Sequence, residues 1–189
     1  MKKLSSLAIA VVVLLTFAAC SGSGNEPPNA VSSTDVPTSP PTVSTTAQKD
    51  VLAAAKRYLN TAAFSHQELV KQLQFDGFTI EEIAYGISNC GANWEEQARN
   101  RAKAYLEASY GFSYQRMIEY LENENHFTNE ESVYAADNCG ANWKEQAVIC
   151  AKNVLENTIS VYSYQELIEH LKINQFTEEE AVYGAKNSD

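Results

Sequence analysis

The feature that most constrains the fold of this chain is a repeat with a period of 49 residues. The hexapeptide Asn-Cys-Gly-Ala-Asn-Trp occurs at 89–94 and again at 138–143, and it contains both tryptophans of the chain. Two aromatic positions occur three times each at the same offset: Phe78, Phe127 and Phe176, and Tyr85, Tyr134 and Tyr183. A period of this length is typical of an array of similar supersecondary units rather than of one irregular enzyme fold.

The N-terminus has the composition of a secretion signal. Residues 1–19 begin with Lys2 and Lys3 and continue as an apolar run that is too short to span a bilayer as a mature helix. The small residues directly before Cys20 predict lipid attachment at that cysteine, although Phe17 stands where an aliphatic residue is usual. The alternative is an ordinary signal peptide in which Cys20 is incidental.

The next segment predicts a disordered tether. Residues 20–48 hold all five prolines of the chain, and most of the remainder is Ser, Thr, Gly, Asn and Ala. Such a composition cannot bury enough apolar area to offset the entropy of ordering. Removal of the signal leaves 12 basic and 24 acidic residues, a net charge of about −12. An acidic secreted surface disfavours nucleic acid and favours basic partners.

The repeat itself is helical. Apolar residues at helical spacing predict a long helix from Val51 to Ala62, and the motifs Ser65–Glu68 and Thr79–Glu82 predict capping boxes that open two shorter helices. Asn93 caps the helix that begins the next copy. The inward stripe of the first hairpin helix recurs as Leu69 and Leu73, Met117 and Leu121, and Leu167 and Leu171.

These patterns predict an all-α fold of three tandem helix-turn-helix-like repeats of about 49 residues, joined by shared long helices. We place the repeats at 49–97, 98–146 and 147–189, the last of which is truncated.

The motifs together resemble the Ltp family of host cell surface-exposed lipoproteins. The residues that carry the resemblance are Ser65, Leu69, Leu73, Phe78-Thr79, Tyr85, Gly91-Ala92-Asn93-Trp94, Ala98 and Ala102-Lys103-Ala104-Tyr105-Leu106. It covers nearly all of 49–189 together with the signal and the tether. Asn93 and Asn142 depart from the Asp common in the family, and Val154 replaces a Tyr.

The resemblance implies helical units lipid-anchored at the extracellular face of the cell membrane, in a Gram-positive bacterium. The best-known role in the family is superinfection exclusion, in which the lipoprotein blocks DNA injection by an incoming phage. We therefore expect a binding module that contacts a basic protein segment of a phage tail component or an envelope protein. The alternative is a chromosomal surface lipoprotein that binds an envelope polymer or another surface protein.

Repeated glutamates at the hairpin helices give that partner a candidate surface. They are Glu81 and Glu82, Glu130 and Glu131, and Glu178 and Glu179. One interpretation is helix capping and interaction with the helix dipole; the other is an acidic docking face. DNA binding is disfavoured, because phosphate contacts need clustered Lys and Arg.

The remaining reactive residues predict structure rather than chemistry. Cys139 and Cys150 are a candidate disulfide; the alternatives are three buried free thiols or a Cys90–Cys139 bond. Trp94 and Trp143 are expected to pack helix on helix rather than to bind a ligand. The three histidines, His66, His126 and His170, lack ligand spacing, and no nucleophile–base motif or phosphate loop occurs. We therefore expect no metal, no cofactor and no catalytic activity. This disfavours a third possible function, that of an extracellular hydrolase.

Overall fold

The computed structural model describes residues 44–158 and 161–188. The predicted signal peptide, the lipid attachment at Cys20 and most of the predicted tether lie outside these residues. Across the described ranges all regular structure is helical, which confirms the all-α prediction. The helices are α1 (Thr45–Thr61), α2 (His66–Phe75), α3 (Ile80–Asn89), α4 (Trp94–Glu107), α5 (Tyr114–Asn123), α6 (Asn129–Asn138), α7 (Trp143–Asn157), α8 (Tyr164–Ile173) and α9 (Glu178–Lys186). None of these helices combines the length and the apolar character needed to cross a membrane.

The helices pack in threes, and each group has its own core. The long helix of each group lies against the hairpin that follows it, so that α1 packs on α2 and α3, α4 on α5 and α6, and α7 on α8 and α9. The buried side chains separate into three clusters that correspond to these groups. We call the groups unit 1, unit 2 and unit 3, each comprising one long helix and its hairpin.

The structure corrects the phase of the predicted repeats. The boundaries after residues 97 and 146 fall inside α4 and α7, whereas the units begin with those helices. The predicted tether also ends too late, because Ser44 caps α1 by accepting a hydrogen bond from the backbone N–H of Ala47 at 3.2 Å. Residues 44–48 of the predicted tether therefore form the cap and first turn of a helix.

Each hairpin helix begins where its capping motif predicts. Ser65 and Glu68 form a complete capping box, in which the serine accepts from the Glu68 N–H and the glutamate accepts from the Ser65 N–H. The same reciprocal pair opens α3, α6, α8 and α9. Helix α5 keeps the serine cap alone, since Arg116 occupies the position of the capping glutamate. Hydrogen bonds between residues three apart in the sequence therefore determine where the hairpin helices begin, independently of tertiary packing.

Small residues allow the last helix of a unit to lie close to its long helix. In unit 1 a Cβ added to Gly86 would come within 2.8 Å of the Val51 side chain, and in unit 3 one added to Gly184 would come equally close to the Ala147 backbone. In unit 2 the equivalent buried pair is Ala98 and Ala135.

In units 2 and 3 a tyrosine on the last helix also donates a hydrogen bond to a glutamate on the long helix. The Tyr134 hydroxyl donates to Glu96 at 2.9 Å, and the equivalent bond in unit 3 measures 3.0 Å.

Candidate functional site

The two tryptophans lie at the junctions between units. Asn93 and Asn142 cap α4 and α7, and the indole that follows each cap packs against the core of the preceding unit. Trp94 meets the His66 ring edge-on with centroids 5.4 Å apart, and Trp143 meets the Tyr114 ring edge-on at 5.6 Å. Each junction therefore contains an aromatic pair at the start of the preceding hairpin.

The first junction is completed by polar contacts from α4. Arg101 donates to the Ala63 carbonyl and to the Glu68 carboxylate, the latter at 2.9 Å. Gln97 accepts from the Phe64 backbone N–H at 3.1 Å. These side chains bind the chain that leads into α2, and Glu68 serves both as capping residue and as partner of Arg101.

At the second junction the arginine has no counterpart, and the backbone at Gly111 contacts the backbone of α7 directly. Cys150 stands at the position of Arg101, and Gly111 approaches Cys150 so closely that an added Cβ would lie 2.5 Å from the Cys150 nitrogen. The Ser113 hydroxyl donates to the Asn174 carbonyl at 2.8 Å, and Asn153 donates to the Ser109 carbonyl at 2.9 Å. The chain between α4 and α5 is thus held against α7 by the close approach of Gly111 and by the Asn153 side chain, and against the end of α8 by the Ser113 hydroxyl.

The structure does not join Cys139 to Cys150, and both are free thiols like Cys90. Cys139 ends α6 and belongs to the core of unit 2, whereas Cys150 lies in the core of unit 3. This corrects the expected disulfide and agrees with the alternative of three buried thiols. The Cys139 thiol points to the Ala136 carbonyl at 3.4 Å.

Ser188 supplies the third copy of the cysteine position. It is buried, and its hydroxyl donates to the Ala185 carbonyl at 3.2 Å, as the Cys90 thiol does to the Ile87 carbonyl at 3.1 Å. The sequence signal was available, because Asn187-Ser188 follows the 49-residue period from Asn138-Cys139. A hydroxyl that replaces a thiol in the same contact indicates that these positions are structural.

The thiols are expected to be unreactive in the folded protein. Burial raises the pKa of the Cys150 thiol to about 11, and burial likewise raises the pKa of Cys139. At pH 8 both remain protonated and shielded, so alkylation should be slow until denaturant is added. Peptide mapping of the unreduced, alkylated protein checks this. A linked Cys139–Cys150 peptide pair, or rapid native labelling of either thiol, would contradict the assignment, while Cys139→Ser should retain the fold.

The acidic candidates divide into three groups. Glu82 and Glu131 accept the backbone N–H bonds of their capping boxes at 2.8 and 2.9 Å. Glu178 pairs with Lys172 at 2.9 Å and Glu179 with Lys144 at 2.6 Å. Two further glutamates of the predicted docking face are exposed and make no such contact within the described residues; they are Glu81 and Glu130.

The hairpin of α5 and α6 carries the largest uncompensated charge. Residues 113–139 hold six carboxylates and one basic side chain, Arg116. No carboxylate of this hairpin forms an ion pair in the part of the chain that the structure describes. The carboxylates are Glu119, Glu122, Glu124, Glu130, Glu131 and Asp137. Sequence reasoning missed this concentration, because it weighed the repeated Glu pairs and not the charge of each hairpin.

The histidines lie apart from one another in different settings. His66 and His170 each contact an aromatic ring, the latter that of Tyr162 at 5.7 Å, and His126 adopts a positive φ of 58° in the turn before α6. Across the described ranges no group of three His, Cys, Asp or Glu side chains is placed to hold a metal ion.

A family model described as host cell surface-exposed lipoprotein matches the chain twice, over residues 46–90 and 93–139. The chain belongs to this family. The two matches coincide with units 1 and 2 of the structure, which supports unit boundaries at α1 and α4. Unit 3 repeats the same three-helix arrangement. No curated protein and no solved structure matches the chain. The family description makes this a lipoprotein exposed at the cell surface.

Proposed function

We propose that the protein is a lipid-anchored binding module on the outer face of the membrane that blocks entry of phage DNA by contact with a basic protein segment. The family membership supports display at the cell surface. The observation that carries the choice of surface is the unpaired negative charge of the α5–α6 hairpin. The proposed partner is a basic part of a phage tail component.

The other two hairpins are weaker candidates because their charges are partly neutralised within the protein. Glu68 pairs with Arg101 at 2.9 Å, and the glutamates that begin α9 pair with Lys144 and Lys172. In the α5–α6 hairpin the contacts come from neutral donors. Asn129 donates to Glu122 at 2.6 Å, and Gln175 donates to Glu119 at 2.9 Å. Neutral donors leave the full negative charge available to a cationic partner.

Charge of this kind acts mainly on the rate of association. A basic segment is attracted before contact, and exposed charges are screened beyond about 8 Å at physiological ionic strength. Binding should therefore be fast and should weaken as salt is added.

Removal of three charges from the α5–α6 hairpin is expected to abolish most of the protection against phage. The variant is Glu122→Gln, Glu124→Gln and Glu130→Gln, which leaves the capping box of Glu131 intact. Loss of three interfacial charges should weaken association about tenfold or more. The measurement is the efficiency of plaque formation on a susceptible host that expresses the wild type or the variant.

The matched control removes the same number of charges from the other hairpins, as Glu81→Gln, Glu178→Gln and Glu179→Gln. Its protection should equal that of the wild type, since surface ion pairs contribute little to stability. Equal loss of protection in both variants would show that protection depends on the net charge of the protein and not on the α5–α6 hairpin. Undiminished plaque formation on the wild-type strain across a broad phage panel would contradict exclusion. Salt-insensitive binding to purified cell wall would then support the alternative of an envelope-binding lipoprotein.

A further inference from the structure

Unit 3 has an open cleft at the place that a tryptophan fills in the other two units. The cleft has a volume of about 350 Å³ and is lined by Leu155, Tyr162, Tyr164, Leu167, Ala185 and Ser188, among others. In unit 2 the equivalent residues are Leu106, Phe112, Tyr114, Met117, Ala136 and Cys139. Those residues form the core and its edge against which Trp143 packs.

The same correspondence holds in unit 1. Leu59, Phe64, Leu69, Ile87 and Cys90 form the equivalent surface, and Trp94 packs on it. Within 44–158 and 161–188 no indole packs on the core of unit 3. Tyr164, at the start of α8, is 52% exposed, whereas its counterpart Tyr114, which contacts Trp143, is half-buried. The same surface thus carries an indole in units 1 and 2 and none in the described part of unit 3.

The polar groups around the open cleft match those of the first junction. Glu166 stands at the position of Glu68 and keeps the capping box, with the Ser163 N–H donating to it at 2.8 Å. Hydrogen bonds from Ser163 lower the pKa of Glu166, which is therefore a carboxylate at neutral pH. In the first junction this carboxylate receives Arg101, but across 44–158 and 161–188 no cation pairs with Glu166. The second junction offers no such acceptor, because Arg116 replaces the glutamate.

From this correspondence we propose that the cleft between α8 and α9 binds a helix of a partner protein that begins with a tryptophan and carries an arginine seven residues later. The indole would occupy the cleft against Tyr164 and Leu167, as Trp94 and Trp143 do in their junctions. The arginine would pair with Glu166, as Arg101 pairs with Glu68. A glutamine three residues after the tryptophan would accept from the Tyr162 N–H, as Gln97 accepts from Phe64.

A second copy of the protein does not present this helix. Its two tryptophans are already packed in its own junctions, and its α1 carries Ala47 where α4 carries Trp94. The occupant is therefore assigned to a different protein. The site is separate from the acidic α5–α6 hairpin, and its occupation does not depend on the exclusion function.

A peptide copy of α4 tests the proposal on the full-length chain. The probe is a synthetic peptide of residues 92–106 with a fluorescent label, and the measurement is its fluorescence anisotropy as the protein is added. We expect saturable binding that Trp94→Ala in the peptide weakens about tenfold or more. Arg101→Ala in the peptide, or Glu166→Gln in the protein, should weaken binding about fivefold. The two changes combined should cost no more than either alone.

Glu180→Gln is the matched control, since it alters a capping glutamate of the same hairpin at the start of α9. It should bind the peptide as the wild type does. Failure of the peptide to bind, or binding that is indifferent to Trp94→Ala, would overturn the proposal. Dimerisation of the protein in sedimentation experiments, lost in a Tyr164→Ala variant, would show that a second copy is the occupant and would also overturn it.

Discussion

Replacement of Gly111 by alanine is expected to lower the free energy of unfolding by about 2–4 kcal/mol. Two causes act together at this position. Gly111 has a φ of 72°, which a side chain strains, and an added Cβ would lie 2.5–2.8 Å from the Cys150 nitrogen, Cα and Cβ. The clash is with the backbone of α7, so it cannot be relieved by rotation of a side chain. Chemical denaturation followed by circular dichroism measures the loss.

Gly140→Ala separates the two causes. Gly140 has a φ of 80°, but no atom lies within 4 Å of its added Cβ. This variant should lose only the cost of backbone strain, about 1 kcal/mol. Equal losses in the two variants would mean that the close approach of Gly111 to Cys150 contributes nothing, and would contradict the described second junction.

Trp143→Ala is expected to lower the free energy of unfolding by about 2–4 kcal/mol. The indole is half-buried rather than fully buried, so the loss should fall below that of a core tryptophan. Part of the loss comes from the edge-on contact with Tyr114 at 5.6 Å, since such aromatic pairs contribute about 0.5–1.5 kcal/mol. Thermal and denaturant unfolding of the purified variant provide the measurement.

Tyr164→Ala is the control for that contact. Tyr164 begins α8 as Tyr114 begins α5, but no tryptophan packs on it in the described residues. Its replacement should change stability by less than about 0.5 kcal/mol. An unchanged melting temperature in Trp143→Ala, together with loss of partner binding, would assign that tryptophan to the binding surface instead.

The parts of the fold that the sequence predicts are those set by local chemistry. The capping pairs, the helical stripe and the glycine turns act within a few residues, so they can be recognised in one copy and checked in the next. Gly91 and Gly140, for example, both adopt positive φ in the residue after the C-caps of α3 and α6, a position where glycine is typical. The cap formed by Ser44 has the same local chemistry but lies inside a segment whose composition predicts disorder.

The parts that were mispredicted depend on contacts between distant residues. The residue at which each unit begins depends on which hairpin its long helix packs against. The 49-residue period is the same whichever residue is taken as the start, so it does not determine that boundary. Ala84 shows the same limit: the apolar pattern Ile83, Ala84 and Ile87 places it on the inward face of α3, yet it is exposed, because Ile83 and Gly86 face the core. The prediction of a Cys139–Cys150 disulfide was wrong for the same reason, because the two thiols lie in the cores of different units.

One long-range feature was nevertheless visible in the sequence. Arg101 and Glu68 form the first junction, and both positions change in the next copy, to Cys150 and Arg116. A paired change of this kind between internal copies indicates spatial contact. Comparison of the repeats with one another would therefore have predicted that the two junctions are built differently.

The most direct test of the proposed function compares phage adsorption with phage DNA entry on the same cells. The host expresses the wild-type lipoprotein, and labelled phage report particle binding and injected DNA separately. Our account predicts normal adsorption and a sharp fall in DNA entry, with entry restored by the Glu122→Gln, Glu124→Gln and Glu130→Gln variant. Unchanged DNA entry, or a fall in adsorption that accounts for the whole loss of infection, would contradict it.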